Sequence, residues 1–213
     1  MATNNPGKLA EYRRLLAMAP VEVVSPADLG LDLQVEEDGL TFLANAQKKA
    51  KEYAAAAGIP ALADDSGLVV RALGGRPGVE SARYGGDGLD EPGRNRLLLQ
   101  EMEGRPDRQA EYVCVIALAH PGGPAAKVFM GRCEGRIGRQ PVGDGGFGYD
   151  PVFVLSDGRT MAEATDEQKD ALSHRGQAVA EMLGQLQLDR WALARPTADP
   201  SSGADTISPV VGE

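Results

Sequence analysis

A chain of 213 residues is long enough for one substantial core or two closely joined lobes, and a hydrophobic share of 42% is ordinary for a soluble globular protein. A formal charge of -9 excludes a protein that grips a nucleic-acid polymer, because that affinity is built from many Lys and Arg neutralising phosphates. No apolar run approaches the ~20 residues that cross a bilayer, and no basic-then-apolar leader opens the chain, so a cytoplasmic protein without a membrane partner is expected.

The opening stretch Met1-Ala2-Thr3-Asn4-Asn5-Pro6-Gly7-Lys8 leads into an amphipathic helix with Leu9, Tyr12, Leu15 and Leu16 on one face. Asn5 suits its cap and Pro6 its first turn. Unpaired N–H groups at the helix start, the side chains of Thr3 and Asn5 and the Lys8 ammonium form a candidate phosphate site; a plain capped helix accounts for the same residues. Val21-Glu22-Val23-Val24 predicts a short strand, and Pro26 to Gly30 a turn or single helical turn. The acidic cluster Glu36-Glu37-Asp38-Gly39 precedes a helix from about Leu40 to Ala57, where carboxylates are favourable for structural reasons. Asn45, Lys48, Lys49 and Lys51 on that helix read as a solvated face, unless Glu37 turns toward the next acidic stretch and Lys49 leans over a phosphate.

That stretch is Ala63-Asp64-Asp65-Ser66-Gly67, between Ile59-Pro60-Ala61-Leu62 and Leu68-Val69-Val70, and it predicts an acidic bend between two strands. Adjacent carboxylates are costly to bury unpaired. A hard cation such as Mg2+ would meet them, since it takes one or two carboxylates and leaves its other positions to water and phosphates. Ser66 adds a hydroxyl, and Gly67 lets a ligand approach the backbone; an ordinary turn uses the same residue types.

Leu73 to Val79 is too rich in Gly and Pro for regular structure and predicts a shaped loop ending in Ser81-Ala82-Arg83-Tyr84-Gly85. Asp90 to Met102 predicts a helix capped by Asp90, and Tyr112–Leu118 with Lys127–Cys133 a hairpin turned at Pro121-Gly122-Gly123-Pro124. Cys114 and Cys133, within those strands, predict buried free thiols and no zinc site. The glycine-rich run Gly143 to Pro151 suggests a backbone close to a flat ligand, with Phe147 as a stacking face and Asp150 as an acceptor for ring N–H groups; a loop with aromatic plugs is the alternative. Thr165-Asp166-Glu167-Gln168 is a capping box, followed by Lys169, Ser173-His174-Arg175-Gly176 and a helix bearing Val179, Met182, Leu183 and Leu186. From Asp189 periodicity is lost and a disordered tail is expected, with residues 1–188 forming one domain.

Five stretches, Thr3 to Lys8, Asp64 to Gly67, Ser81 to Tyr84, Gly146 to Asp150 and Ser173 to Gly176, come in an order and spacing that resembles the noncanonical purine NTP pyrophosphatases, the inosine triphosphatase or HAM1-like family, over nearly all of residues 2–188. The resemblance implies an α/β fold with a long twisted mixed sheet flanked by helices, and two lobes with an active-site cleft between them, assembled as a homodimer. It implies Mg2+-dependent cleavage of ITP, XTP and their deoxy forms to the monophosphate and pyrophosphate, by water attack at the α-phosphorus. It also implies that Asp65 is general base and metal ligand, Glu37 a further ligand and Asp64 a supporting carboxylate. Thr3, Asn4, Asn5, Pro6, Gly7 and Lys8 would bind substrate, Thr3, Asn5, Lys8 and Lys49 holding the triphosphate. Ser66 would contact substrate, and Phe147, Gly148, Tyr149 and Asp150 with Lys169, His174 and Arg175 would enclose the base. Two features depart from the family pattern: only Met1 and Ala2 precede Thr3 where an apolar strand is usual, and Asn4 stands where Gly is frequent. A pyrophosphatase for other modified nucleotides, and a nucleotide-binding module without turnover, are the competing readings.

Overall fold

Apolar alternation and capping divide the chain into five helices and four strands in the computed structural model, which describes residues 1–86, 88–124 and 126–186. Helix α1 (Pro6–Leu15) starts at Asn5, whose side chain accepts the Lys8 N–H, and α2 (Phe42–Ala57) starts at Thr41, which accepts from Ala44 N–H. Strand β1 (Ala61–Val70) is followed by α3 (Glu91–Glu101), capped by Asp90 as expected. The hairpin is β2 (Gln109–Ala119) and β3 (Lys127–Ile137), and the short β4 (Phe153–Val154) completes the sheet. Helices α4 (Asp166–Leu172), with the expected Thr165 capping box, and α5 (His174–Leu186) close the described chain.

The sheet order is β1-β2-β3-β4. β2 is central and apolar on both faces, so it needs cover on each. On one face Ala46, Ala50, Tyr53 and Ala54 of α2 pack on Ala61, Ala63, Val113, Val115 and Ala117. On the other, Tyr12 and Leu16 pack with Val179, Met182 and Leu186 of α5 over Cys114, Ile116 and Leu118. Farther along the strands, Leu68, Val70, Tyr112, Ile137 and Phe153 form a separate cluster with Leu98 and Met102. The strands thus run through two packed regions. The start of α5 is pressed onto β3 at Gly131, where a Cβ would come within 2.0 Å of the His174 carbonyl oxygen and 2.4 Å of the Ala178 nitrogen. Glycine there sets how closely His174 and Arg175 approach the sheet.

Four expectations are corrected. Ala63 to Gly67 is no bend but the middle of a continuous strand, each residue paired with β2 from Ala63↔Ala117 to Gly67↔Val113. Strand alternation sends Asp64 and Asp65 to opposite faces, so both are satisfied without a turn. The pairings are antiparallel throughout the described strands rather than mixed, within the expected α/β class. Val21 to Val24 forms no strand; the Met1 ammonium donates to the Val24 carbonyl at 2.6 Å, and Ala2 N–H donates to Leu62 at 2.7 Å. Within the loop before Tyr84, Arg71–Leu73 and Gly78–Arg83 are 3-10 turns. Cys114 and Cys133 are buried free thiols. Among the described residues no helix is long and apolar enough to cross a membrane. The expected tail from Asp189 lies outside the described residues.

Candidate active site

A cleft of about 440 Å³ opens between the start of α1, the middle of β1 and the loop before β4. That volume suits a ligand of nucleotide size. Local chemistry shapes each wall. At the α1 start, Asn5 N–H donates to Thr3 Oγ1 at 3.1 Å while Asn5 Oδ1 caps Lys8 N–H at 3.0 Å, which leaves Lys8 leaning in from the first turn. On α2, Asn45 and Lys49 sit one turn apart on the buried face, whereas Lys48 leaves outward to Asp38 at 2.8 Å. The predicted solvated face therefore divides, with Asn45 and Lys49 belonging to the site.

The two neighbouring aspartates differ in every partner. Asp64, 1% exposed, meets Lys8 Nζ at 3.0 Å, Arg175 Nε at 3.5 Å and the Ser66 hydroxyl at 3.1 Å. Burial opposes its ionisation, but the charges of Lys8, Arg175 and Lys49 prevail and hold its carboxyl well below the usual range. Asp65 accepts from Asn45 Nδ2 at 2.9 Å and from Ser66 N–H at 3.0 Å. Burial pushes its carboxyl up, Glu37 adds to the rise, and Lys49 and Asn45 oppose it without reversing it. Each Asp65 oxygen has one protein donor and keeps a lone pair for another. Lys49 Nζ bridges Glu37 Oε1 at 2.7 Å and the Asp64 carbonyl at 2.6 Å.

At the other end, buried charges form a continuous chain. Arg175 donates to Glu11 and, at 3.0 Å, to Ser66 Oγ; Lys169 bridges Glu11 at 2.7 Å and Asp150 at 2.6 Å. Asp150 also accepts from Tyr112 OH at 3.1 Å and Phe147 N–H at 3.0 Å. Asp150 Oδ2 is therefore taken up by Lys169 and the Phe147 N–H, which folds its own loop, while Oδ1 has the Tyr112 hydroxyl as its one protein donor and keeps a lone pair at the cleft. Phe147 presents its ring to Lys169 Nζ at 4.7 Å and to the Arg175 guanidinium at 5.6 Å. His174 stacks on Tyr112 with ring centroids 4.7 Å apart, and burial beside Arg175 lowers its pKa well below the ordinary histidine value, so it is neutral.

Thr3, Asn4, Asn5, Lys8, Glu37, Lys49, Asp65, Ser66, Phe147, Gly148, Tyr149, Asp150, Lys169, His174 and Arg175 all line the cleft. Pro6 and Gly7 stand outside it. Pro6 begins α1, and a Cβ on Gly7 would lie 2.7 Å from Phe147 Cδ1, so Gly7 makes room for the ring. Glu11 and Tyr112 escaped the sequence reading. Nothing local marks Glu11, at the edge of the apolar stripe of α1, because its partners Arg175 and Lys169 lie far along the chain.

Glu37 and Asp65 are close enough for one charge to raise the other's pKa, and both face the cleft. Two hard oxygen donors that repel each other suit a Mg2+ ion completing its shell with phosphate and water. Among the described residues no group of three or more His, Cys, Asp or Glu forms a self-contained metal cage.

The family model described as the Ham1 family matches residues 1–185. The chain is 47% identical to the dITP/XTP pyrophosphatase of Escherichia coli, over 88% of this chain and 96% of that protein. It is 46% identical to the dITP/XTP pyrophosphatase of Nitrosomonas europaea, over 87% and 92%. Among solved structures, a HAM1 protein from Coxiella burnetii superposes with a TM-score of 0.80 at 41% identity, over 87% of this chain and 95% of that one.

Proposed function

This chain belongs to the Ham1 family, and from that premise we propose that it is a nucleoside triphosphate pyrophosphatase acting on noncanonical purine nucleotides. It hydrolyses ITP, dITP and XTP to the monophosphate and pyrophosphate, removing them from the nucleotide pool. The observation that carries the reading is the division between two adjacent carboxylates: Asp64 is neutralised by surrounding cations, while Asp65 faces the cleft with a raised pKa and lone pairs to spare. A carboxylate in that state suits a general base near neutral pH.

In this reading Asp65 accepts a proton from the water that attacks the α-phosphorus, held in orientation by Asn45 and the Ser66 N–H. Lys8 and Lys49 stabilise charge developing on the departing pyrophosphate, with Thr3 and Asn5 at the α1 start positioning its oxygens. Asp65 and Glu37 would hold Mg2+, which would supply neutralisation of phosphate charge and a more acidic water. Phe147 stacks on the base, and a 6-oxo group meets backbone N–H groups that an adenine amino group leaves unpaired. Family likeness extends the proposal to a homodimer in the cytoplasm.

The experiment is pyrophosphate release from ITP, XTP, GTP, dUTP and ATP, each with Mg2+ and with EDTA. Turnover confined to ITP and XTP and abolished by EDTA is the expected outcome. Equal rates on all substrates refute the purine-sanitising role, and tight ITP binding without product makes the chain a binding module.

A further inference from the structure

The base-facing loop is tied down residue by residue. Phe147 N–H donates to Asp150 at 3.0 Å, and Tyr149 OH donates to the Ser81 carbonyl at 2.9 Å. Between them Gly148 adopts a left-handed backbone, φ 64°, and both its polar groups go to one helix. Its N–H donates to Glu91 Oε2 at 2.9 Å, and its carbonyl accepts from Asn95 Nδ2 at 2.9 Å. Glu91 and Asn95 lie four residues apart, one turn of α3, so a single helix face grips the peptide of Gly148 from both sides. That face is fixed, because Asp90 caps the helix through Gly93 N–H at 2.7 Å and Asn95 is only 5% exposed. Glu91 also reaches the cleft wall. No site motif in the sequence contains either residue.

We propose that Glu91 and Asn95 are positioning residues for the purine: by clamping the Gly148 peptide they hold the loop from Phe147 to Tyr149 in the orientation that receives the base. The reading rests on the proposed pyrophosphatase activity and adds to it the helix that sets base affinity. Losing either hydrogen bond loosens the base end of the cleft and leaves Lys8, Lys49, Asp65 and Glu37 where they are. The clamp therefore acts on binding of the base and not on the chemical step.

The test is steady-state kinetics of wild type, Glu91→Ala, Asn95→Ala and Glu91→Gln with ITP, together with inhibition by inorganic pyrophosphate as a ligand without a base. Both alanine variants raise KM for ITP roughly three- to tenfold, the worth of one hydrogen bond, with kcat within about twofold of wild type. Pyrophosphate inhibition stays unchanged, and Glu91→Gln, which keeps an acceptor oxygen, restores KM. Glu91 is exposed, so its variants remain folded even where Asn95→Ala does not. An unchanged KM in Glu91→Ala, or an equal loss of pyrophosphate binding, overturns the proposal. Absence of ITP turnover in the wild type overturns the pyrophosphatase reading instead.

Discussion

The two faces of β1 offer a controlled comparison, because Asp64 and Asp65 share a strand, a side chain and near-complete burial. Asp64 points to the side where Lys8 and Arg175 converge, and becomes a permanent anion that ties α1, β1 and α5 together. Asp65 points to the α2 side, where neutral Asn45 is its side-chain partner and Glu37 is a neighbouring charge. Two cations converge on the Asp64 carboxylate, whereas beside Asp65 the one cation, Lys49, is paired with Glu37. Position along the strand, through a period of two, thus assigns structure to one carboxylate and reactivity to its neighbour.

The strongest way to break this comparison is to neutralise each in turn. Asp65→Asn keeps the shape and one of the two acceptor contacts but removes the base, and lowers ITP turnover about a hundred- to ten-thousandfold at little cost to the melting temperature. Asp64→Asn leaves half-buried Lys8 and buried Arg175 short of their counter-charge and costs about 3–5 kcal/mol of stability, read by denaturant unfolding. The assignment of roles fails if Asp65→Asn retains near-normal turnover or if the stability losses come in the opposite order.

How much of this was legible in the sequence depends on the distance over which each signal acts. The Asn5 and Asp90 caps, the Thr165 capping box and the hairpin are written within a few residues and appear where expected. The family motifs converge on one cleft. What stayed hidden required a partner far away. Glu11 reads as a surface charge until Arg175, 164 residues later, folds onto it. Ala63 to Gly67 has the composition of a turn, yet ten pairs with β2 overrule that preference. Val21 to Val24 has strand composition but lacks a ladder among the described residues, and stays irregular.

A smaller effect sharpens the contrast at the base end. In Gly7→Ala the new methyl group meets the Phe147 ring at 2.7 and 3.0 Å, so the ring or the α1 start must shift. Overpacking of this kind costs about 1–3 kcal/mol, and the displaced ring raises KM for ITP without changing pyrophosphate inhibition. An alanine variant with wild-type KM and stability would show that Phe147 has room the geometry does not suggest.

The smallest expected effect is on pH, and it reads the buried charges on the Asp64 side alone. His174 is kept neutral by burial next to Arg175, its pKa well below the ordinary 6.5. The unfolded chain takes up that proton near 6.5 and the folded chain refuses it, so stability falls as pH drops below that value. Glu11 adds a second loss: burial works against its charge, but Arg175 and Lys169 hold its pKa below 4.5, so its contribution is full above 4.5 and disappears as pH falls through the folded value. Lys169 has the opposite sign. Burial would lower its pKa, but Asp150 and Glu11 raise it above 10.5, and its contribution is present below 10.5 and lost as pH rises past it. The melting temperature should therefore plateau between the His174 and Lys169 limits, and drop by a few degrees on acidification from pH 7 to 5. His174→Gln removes the titrating ring and should flatten that first step while leaving the steeper fall near Glu11; a step that persists in the variant would place its origin in some group other than His174.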